Sequence, residues 1–264
     1  MQAISVGALD VVCKPEYDSV EAKELIQKLR ILAGVSVITR IKPNRLEIKG
    51  RPLSDSVVTT APSINVVAEP LNFKKLVVIA ASTGGPQALA QILPHLPADF
   101  PSPILIGQHI AYGFAQGMAD WLNQLCQLPV KLAQNNQAIC PGVIYIAPSE
   151  TDMMVNRMRN IVLSPSKAQS VYHPNCDELL SSSVRVFGKQ VVGVIVSGMG
   201  HDGVAGIASV NLSGGITIAQ DEASSVVYGM NKLAIEQNHI QQILPANAIA
   251  DAIINAVMTV NGVG

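Results

Sequence analysis

Three segments of this 264-residue chain carry side chains suited to hydrolytic chemistry, and each follows a short apolar run. LVVIA (76–80) leads into Ala81-Ser82-Thr83-Gly84-Gly85-Pro86, PILIG (103–107) into Gln108-His109, and VVGVIV (191–196) into Ser197-Gly198-Met199-Gly200-His201-Asp202-Gly203. A hydroxyl, an imidazole and a carboxylate are the nucleophile, base and orienting group of a serine hydrolase. A serine at a strand-to-helix turn lies beside free backbone N–H groups and the positive end of a helix dipole, donors able to hold an oxyanion. Plainer uses compete: Ser82 as a helix N-cap, or the loop as a phosphate cradle. The loop fits neither G-x-G-x-x-G nor G-x-x-x-x-G-K-[ST], which weighs against a nucleotide. His109 could equally be a structural loop histidine, His201 is a rival base, and Asp202 has the alternative of a turn or cap aspartate. Spacing alone leaves a triad beside these alternatives.

Placing the three groups together is a task for the elements around them. Short β-branched runs at 76–80, 103–107, 143–147, 191–196 and 216–219 are almost continuously apolar, as strands buried on both faces must be. Helical patterns at 87–93, 114–126, 177–187, 204–212 and 246–260 alternate with them. That rhythm predicts an α/β fold, doubly wound, with a mostly parallel sheet and helices on both faces. VIYIA, DMMV and NIVLS within 143–164 read as antiparallel strands forming a small edge hairpin. Ligands of such sheets bind beyond the carboxyl ends of the strands, where Ser82, His109 and Asp202 all fall.

Composition excludes other classes. Lys+Arg number 18 against 19 Asp+Glu, a net charge of -1, which offers no footprint for nucleic acid or an anionic membrane. Hydrophobic residues reach 48% and charged residues only 14%, against disorder. Cys13, Cys126, Cys140 and Cys176 are scattered without zinc spacing, so reduced thiols in a cytoplasmic protein are expected. The N-terminus has no secretory pattern, and no apolar run is continuous enough to enter a membrane. Residues 50–72, with three prolines and many Ser and Thr, read as a linker. Ahead of it, 18–32 reads as one amphipathic helix, whose apolar face is expected to pack on the domain that follows.

IAASTGGPQAL, GQHI followed by GF, VSGMGHDGVAG and TIAQDEASSVVYGM occur in this order and together resemble the catalytic domain of chemotaxis protein-glutamate methylesterases. The likeness runs from about residue 74 to the C-terminus. It implies Ser82 as nucleophile, His109 as base and Asp202 as orienting group, with the Met199 backbone N–H in the oxyanion hole and Thr83 as a further donor. The implied reaction is hydrolysis of glutamate γ-methyl esters on the cytoplasmic helices of chemoreceptors, with deamidation of receptor glutamine as a second activity. It needs no metal and no organic cofactor. A catalytically silent, receptor-binding relative is the alternative, against which the intact set of site residues weighs.

VGALDVVCKP and the 18–32 helix resemble the last strand and helix of a response-regulator receiver domain. The implied division is a receiver remnant at 1–49, a linker at 50–72 and the catalytic domain at 73–264. Asp10 does not match the receiver phosphoacceptor, so activation by phosphorylation is not expected. Ala80, Ala111-Tyr112 and Asn175 depart from the family pattern without touching the triad.

Overall fold

The structure, a computed structural model, describes residues 20–33, 73–165 and 173–258. The receiver-like strand and the linker lie outside the described residues, as does the end of the last helix beyond 258. Helix α1 (Val20–Leu32) forms as its periodicity predicts. Its Ile26 and Leu29 nevertheless stay 49% and 56% exposed, so the expected packing of this face is not seen at these two residues.

Seven parallel strands make the sheet: β1 (Leu76–Ala81), β2 (Ile104–Gln108), β3 (Val130–Leu132), β4 (Ile144–Ile146), β7 (Val191–Ile195), β8 (Ile216–Gln220) and β9 (Gln242–Leu244), in the order β3-β4-β2-β1-β7-β8-β9. β5 (Thr151–Val155) and β6 (Ile161–Pro165) form a separate antiparallel pair. VIYIA is therefore not part of the antiparallel unit: Ile144–Ile146 pairs in parallel with both β2 and β3. Its residues are fully buried, as a strand with neighbours on both sides requires.

Side chains alternate between two cores, as a pleated strand demands. Val77, Ile79 and Ala81 of β1 face α2 (Gly85–Ile92), α3 (Ala115–Leu125) and α7 (Ala246–Met258). Leu76, Val78 and Ala80 face α4 (Cys176–Phe187), α5 (Val204–Leu212), α6 (Met230–Glu236) and the β5–β6 hairpin. From β1 the chain crosses to β2 on one side, whereas β7 lies on the other. The loops leaving β1 and β7 run to helices on opposite faces, which opens a crevice between them at the carboxyl edge. Among the described residues no helix is long and apolar enough to cross a membrane.

Candidate active site

Ser82 is the first residue beyond β1 and is 4% exposed. Its N–H donates to Ser197 O at 3.1 Å, and its carbonyl accepts from Gly85 N at 2.8 Å and from Gln108 Nε2 at 2.8 Å. The N-cap of α2 is Gly84, not Ser82, so the capping use of this serine is set aside. Gly84 has φ 79°, and a Cβ there would fall 2.4 Å from Val226 Cβ and 2.6 Å from Ser197 Oγ. Gly84→Ala should therefore cost about 2–4 kcal/mol of stability through left-handed strain and overpacking. Thermal unfolding would read this as a fall in Tm of roughly 5–15 °C; an unchanged Tm would contradict the crowding.

His109 begins one residue after β2, in line with Ser82, because Ala81 pairs with Gln108 across the sheet. Its N–H donates to Ala81 O at 2.9 Å, and Gln108 Nε2 also donates to His109 O at 2.8 Å. One buried amide thus ties the backbones of Ser82 and His109 together. Gly85 makes room for it, since a Cβ at 85 would lie 2.2 Å from Gln108 Oε1.

Asp202 Oδ2 lies 2.7 Å from His109 Nε2. The same oxygen accepts from Cys176 N at 2.7 Å, and Oδ1 accepts from Asp177 N at 2.9 Å. The carboxylate sits on the N-terminus of α4, where backbone donors and the helix dipole favour negative charge. Burial alone would raise its pKa, but the His109 hydrogen bond and charge and the two backbone N–H groups outweigh burial and hold it below the usual carboxylate range. Asp202 does not cap its own helix α5; Gly203, at φ 98°, stands there.

A reciprocal contact completes this corner. Asp177 Oδ1 accepts from Gly203 N at 2.9 Å and Gly206 N at 2.7 Å, so each aspartate serves the helix start of the other. Gly206 permits the approach, for a Cβ there would meet Leu180 Cβ at 2.6 Å. Burial, helped by the Asp202 charge, pushes the Asp177 carboxyl up against those two N–H bonds. Asp177→Ala should cost about 1–2 kcal/mol, the value of a lost cap. Asp177→Asn keeps an acceptor for both N–H groups and should restore most of it; equal unfolding curves for the two variants would exclude the capping role.

Thr83 is buried, and its carbonyl accepts from Ser197 Oγ at 2.8 Å. Ser197 Oγ also accepts from Val227 N at 3.0 Å, while Ser197 N donates to Gln220 Oε1 at 2.8 Å. Asn231 Nδ2 donates to Gln220 O at 2.9 Å, so the TIAQDEASSVVYGM segment braces the Ser82 loop through Ser197. Met199 follows Gly198, where a Cβ would lie 2.7 Å from Ser82 Cβ. The Met199 backbone is thereby brought beside the serine.

The structure thus brings Ser82, Thr83, His109, Met199 and Asp202 to one end of the sheet, and His201 is exposed beside them. Sequence reasoning missed Gln108, Asp177 and Ser197, each acting through backbone groups of another element. A profile of the family described as CheB methylesterase matches residues 77–253. The chain belongs to the CheB methylesterase family. Within this family it is similar to a protein-glutamate methylesterase/protein-glutamine glutaminase of Paramagnetospirillum magneticum, 42% identical over 96% of this chain and 70% of that protein. It is similar to protein-glutamate methylesterase FrzG of Myxococcus xanthus, 38% identical over 96% of this chain and 72% of that one. The crystal structure of the Thermotoga maritima CheB methylesterase catalytic domain superposes with a TM-score of 0.68 at 35% identity, covering 69% of this chain and 98% of that domain.

Proposed function

We propose that this CheB-family chain hydrolyses glutamate γ-methyl esters on the cytoplasmic helices of chemoreceptors, using Ser82, His109 and Asp202. The observation that carries the reading is the 2.7 Å contact between His109 Nε2 and Asp202, on a backbone bonded to that of Ser82. With Nε2–H given to Asp202, Nδ1 is the ring nitrogen left to take the Ser82 proton. Ser82 Oγ attacks the ester carbonyl, and the oxyanion is held by backbone donors at Met199 and Thr83. The imidazolium returns its proton to the departing methanol. Water, deprotonated by His109, then cleaves the acyl-enzyme to free glutamate. A glutamine side chain would follow the same path and release ammonia. The place of work is the cytoplasm, where those receptor helices are.

The test is mass spectrometry of a methylated, glutamine-containing receptor cytoplasmic fragment incubated with the protein. Loss of methyl groups that depends on Ser82 supports the esterase, and conversion of glutamine to glutamate adds the amidase. A fragment left unchanged by the wild type would refute the substrate assignment.

A further inference from the structure

Beside the proposed triad lies a thiol that its chemistry does not use. Cys176, the first residue of α4, is fully buried, and its Sγ donates to Gly107 O at 3.3 Å and lies 3.5 Å from His109 Nε2. The fold makes space for it, since a Cβ on Gly107 would lie 3.0 Å from the sulfur. One donor atom each from His109, Cys176 and Asp202 falls within 4.8 Å of the other two. We infer that these three residues form a site for a soft divalent cation of the zinc type, whose occupancy switches off hydrolysis at Ser82. The inhibitory half rests on the catalytic roles proposed above; the binding half does not.

The donor set fits zinc, and the nitrogen–sulfur separation already does. Imidazole nitrogen, thiolate sulfur and carboxylate oxygen are the ligands zinc takes, at about 2.0–2.3 Å. A tetrahedral ion with such bonds separates nitrogen from sulfur by about 3.6 Å, against 3.5 Å here. Nitrogen and oxygen would need about 3.4 Å, so the 2.7 Å His109–Asp202 contact must open. Asp202 Oδ1 stays held by Asp177 N meanwhile, a supporting contact that orients the ligand. Thiolate plus carboxylate neutralise the dication, as burial requires. Access runs past His109, whose side chain is 10% exposed against 3% for Asp202. Magnesium and calcium, which want oxygen donors, are excluded by the sulfur.

Proton bookkeeping explains the inhibition. Zinc takes cysteine as the thiolate, so the metal displaces the thiol proton to solvent as the Zn–S bond forms. Coordination at Nε2 uses the lone pair left when the imidazole proton moves to Nδ1. A ring carrying its proton on Nδ1 cannot accept the one from Ser82.

Titration of the whole protein with Co²⁺ and Zn²⁺, read both optically and by ester hydrolysis, tests the inference. A thiolate-to-cobalt absorption band, bleached by one Zn²⁺ per chain, is expected. Zinc should suppress hydrolysis by at least about tenfold, with recovery on adding a chelator and no effect of Mg²⁺. Cys176→Ala should lose the band, retain hydrolysis and need at least about tenfold more zinc for half inhibition. Cys176→Ser, which keeps the volume, should behave alike and covers the case of an unstable alanine variant. No band in the wild type, or a band that survives in both variants, overturns the site. A band without loss of hydrolysis, or equal zinc sensitivity in wild type and variants, overturns the switch. Should the wild type fail to demethylate any receptor fragment, the cobalt band and its loss in the variants still decide the binding site.

Discussion

Ser82→Ala should lower kcat for methyl-ester hydrolysis by on the order of 10⁴- to 10⁶-fold, with KM and Tm nearly unchanged. Removing the oxygen abolishes the acyl-enzyme route, and what remains is the slower attack of water in a site that still stabilises an oxyanion. The fold should not notice, because the bonds that fix residue 82 are made by its backbone: N–H to Ser197 O, and C=O to Gln108 Nε2 and Gly85 N. Alanine keeps all of them. Steady-state kinetics on a methylated receptor fragment, with thermal unfolding in parallel, checks both halves. A loss of less than about tenfold would place the nucleophile elsewhere.

Asp202→Asn should combine a large catalytic loss with a measurable structural one. The carboxylate accepts three donors, His109 Nε2 and Cys176 N on one oxygen and Asp177 N on the other. An amide offers one acceptor oxygen, so in either orientation its NH₂ faces a buried N–H. If the amide turns its NH₂ to Nε2, the imidazole is held in the tautomer with a proton on Nδ1 and cannot act as base. If it turns the NH₂ toward Asp177 N, a donor at the start of α4 is left unsatisfied. Activity should fall about 10⁴-fold for the wrong tautomer, and stability by about 1–3 kcal/mol for the opposed donors. Kinetics and denaturant unfolding on one preparation would separate the two effects; a variant with wild-type kcat would remove Asp202 from the mechanism.

Sequence reasoning located the proposed catalytic trio because each member follows a short, almost continuously apolar run, and such runs reveal strands without any contact information. It also reached β1, β2, β7, β8 and the antiparallel β5–β6 pair, with helix boundaries within about two residues. What it missed has a common cause. β3 and β9 have three residues each and α6 has seven, too few for a period to emerge. VIYIA was assigned to the antiparallel unit through its neighbours in the chain, whereas its partners are β2 and β3. Asp177 and Gln108 were given no positioning role because their partners are backbone groups, which carry no residue identity. No spacing rule announces that Asp177 Oδ1 will meet Gly203 N and Gly206 N. The nearness of Cys176 to His109 is hidden in the same way, 67 positions apart in sequence.

The exchange of caps between α4 and α5 bears on transplanting this chemistry. Asp202 owes its position and its charge to the first turn of a helix that begins 26 residues earlier, and that helix's Asp177 fixes the loop bearing Asp202 in return. Three side chains copied onto another parallel sheet would bring the hydroxyl and the ring but leave the carboxylate without its anchorage. The smallest portable unit is two strand ends with a crossed pair of helix starts, and the glycine at their crossing belongs to it.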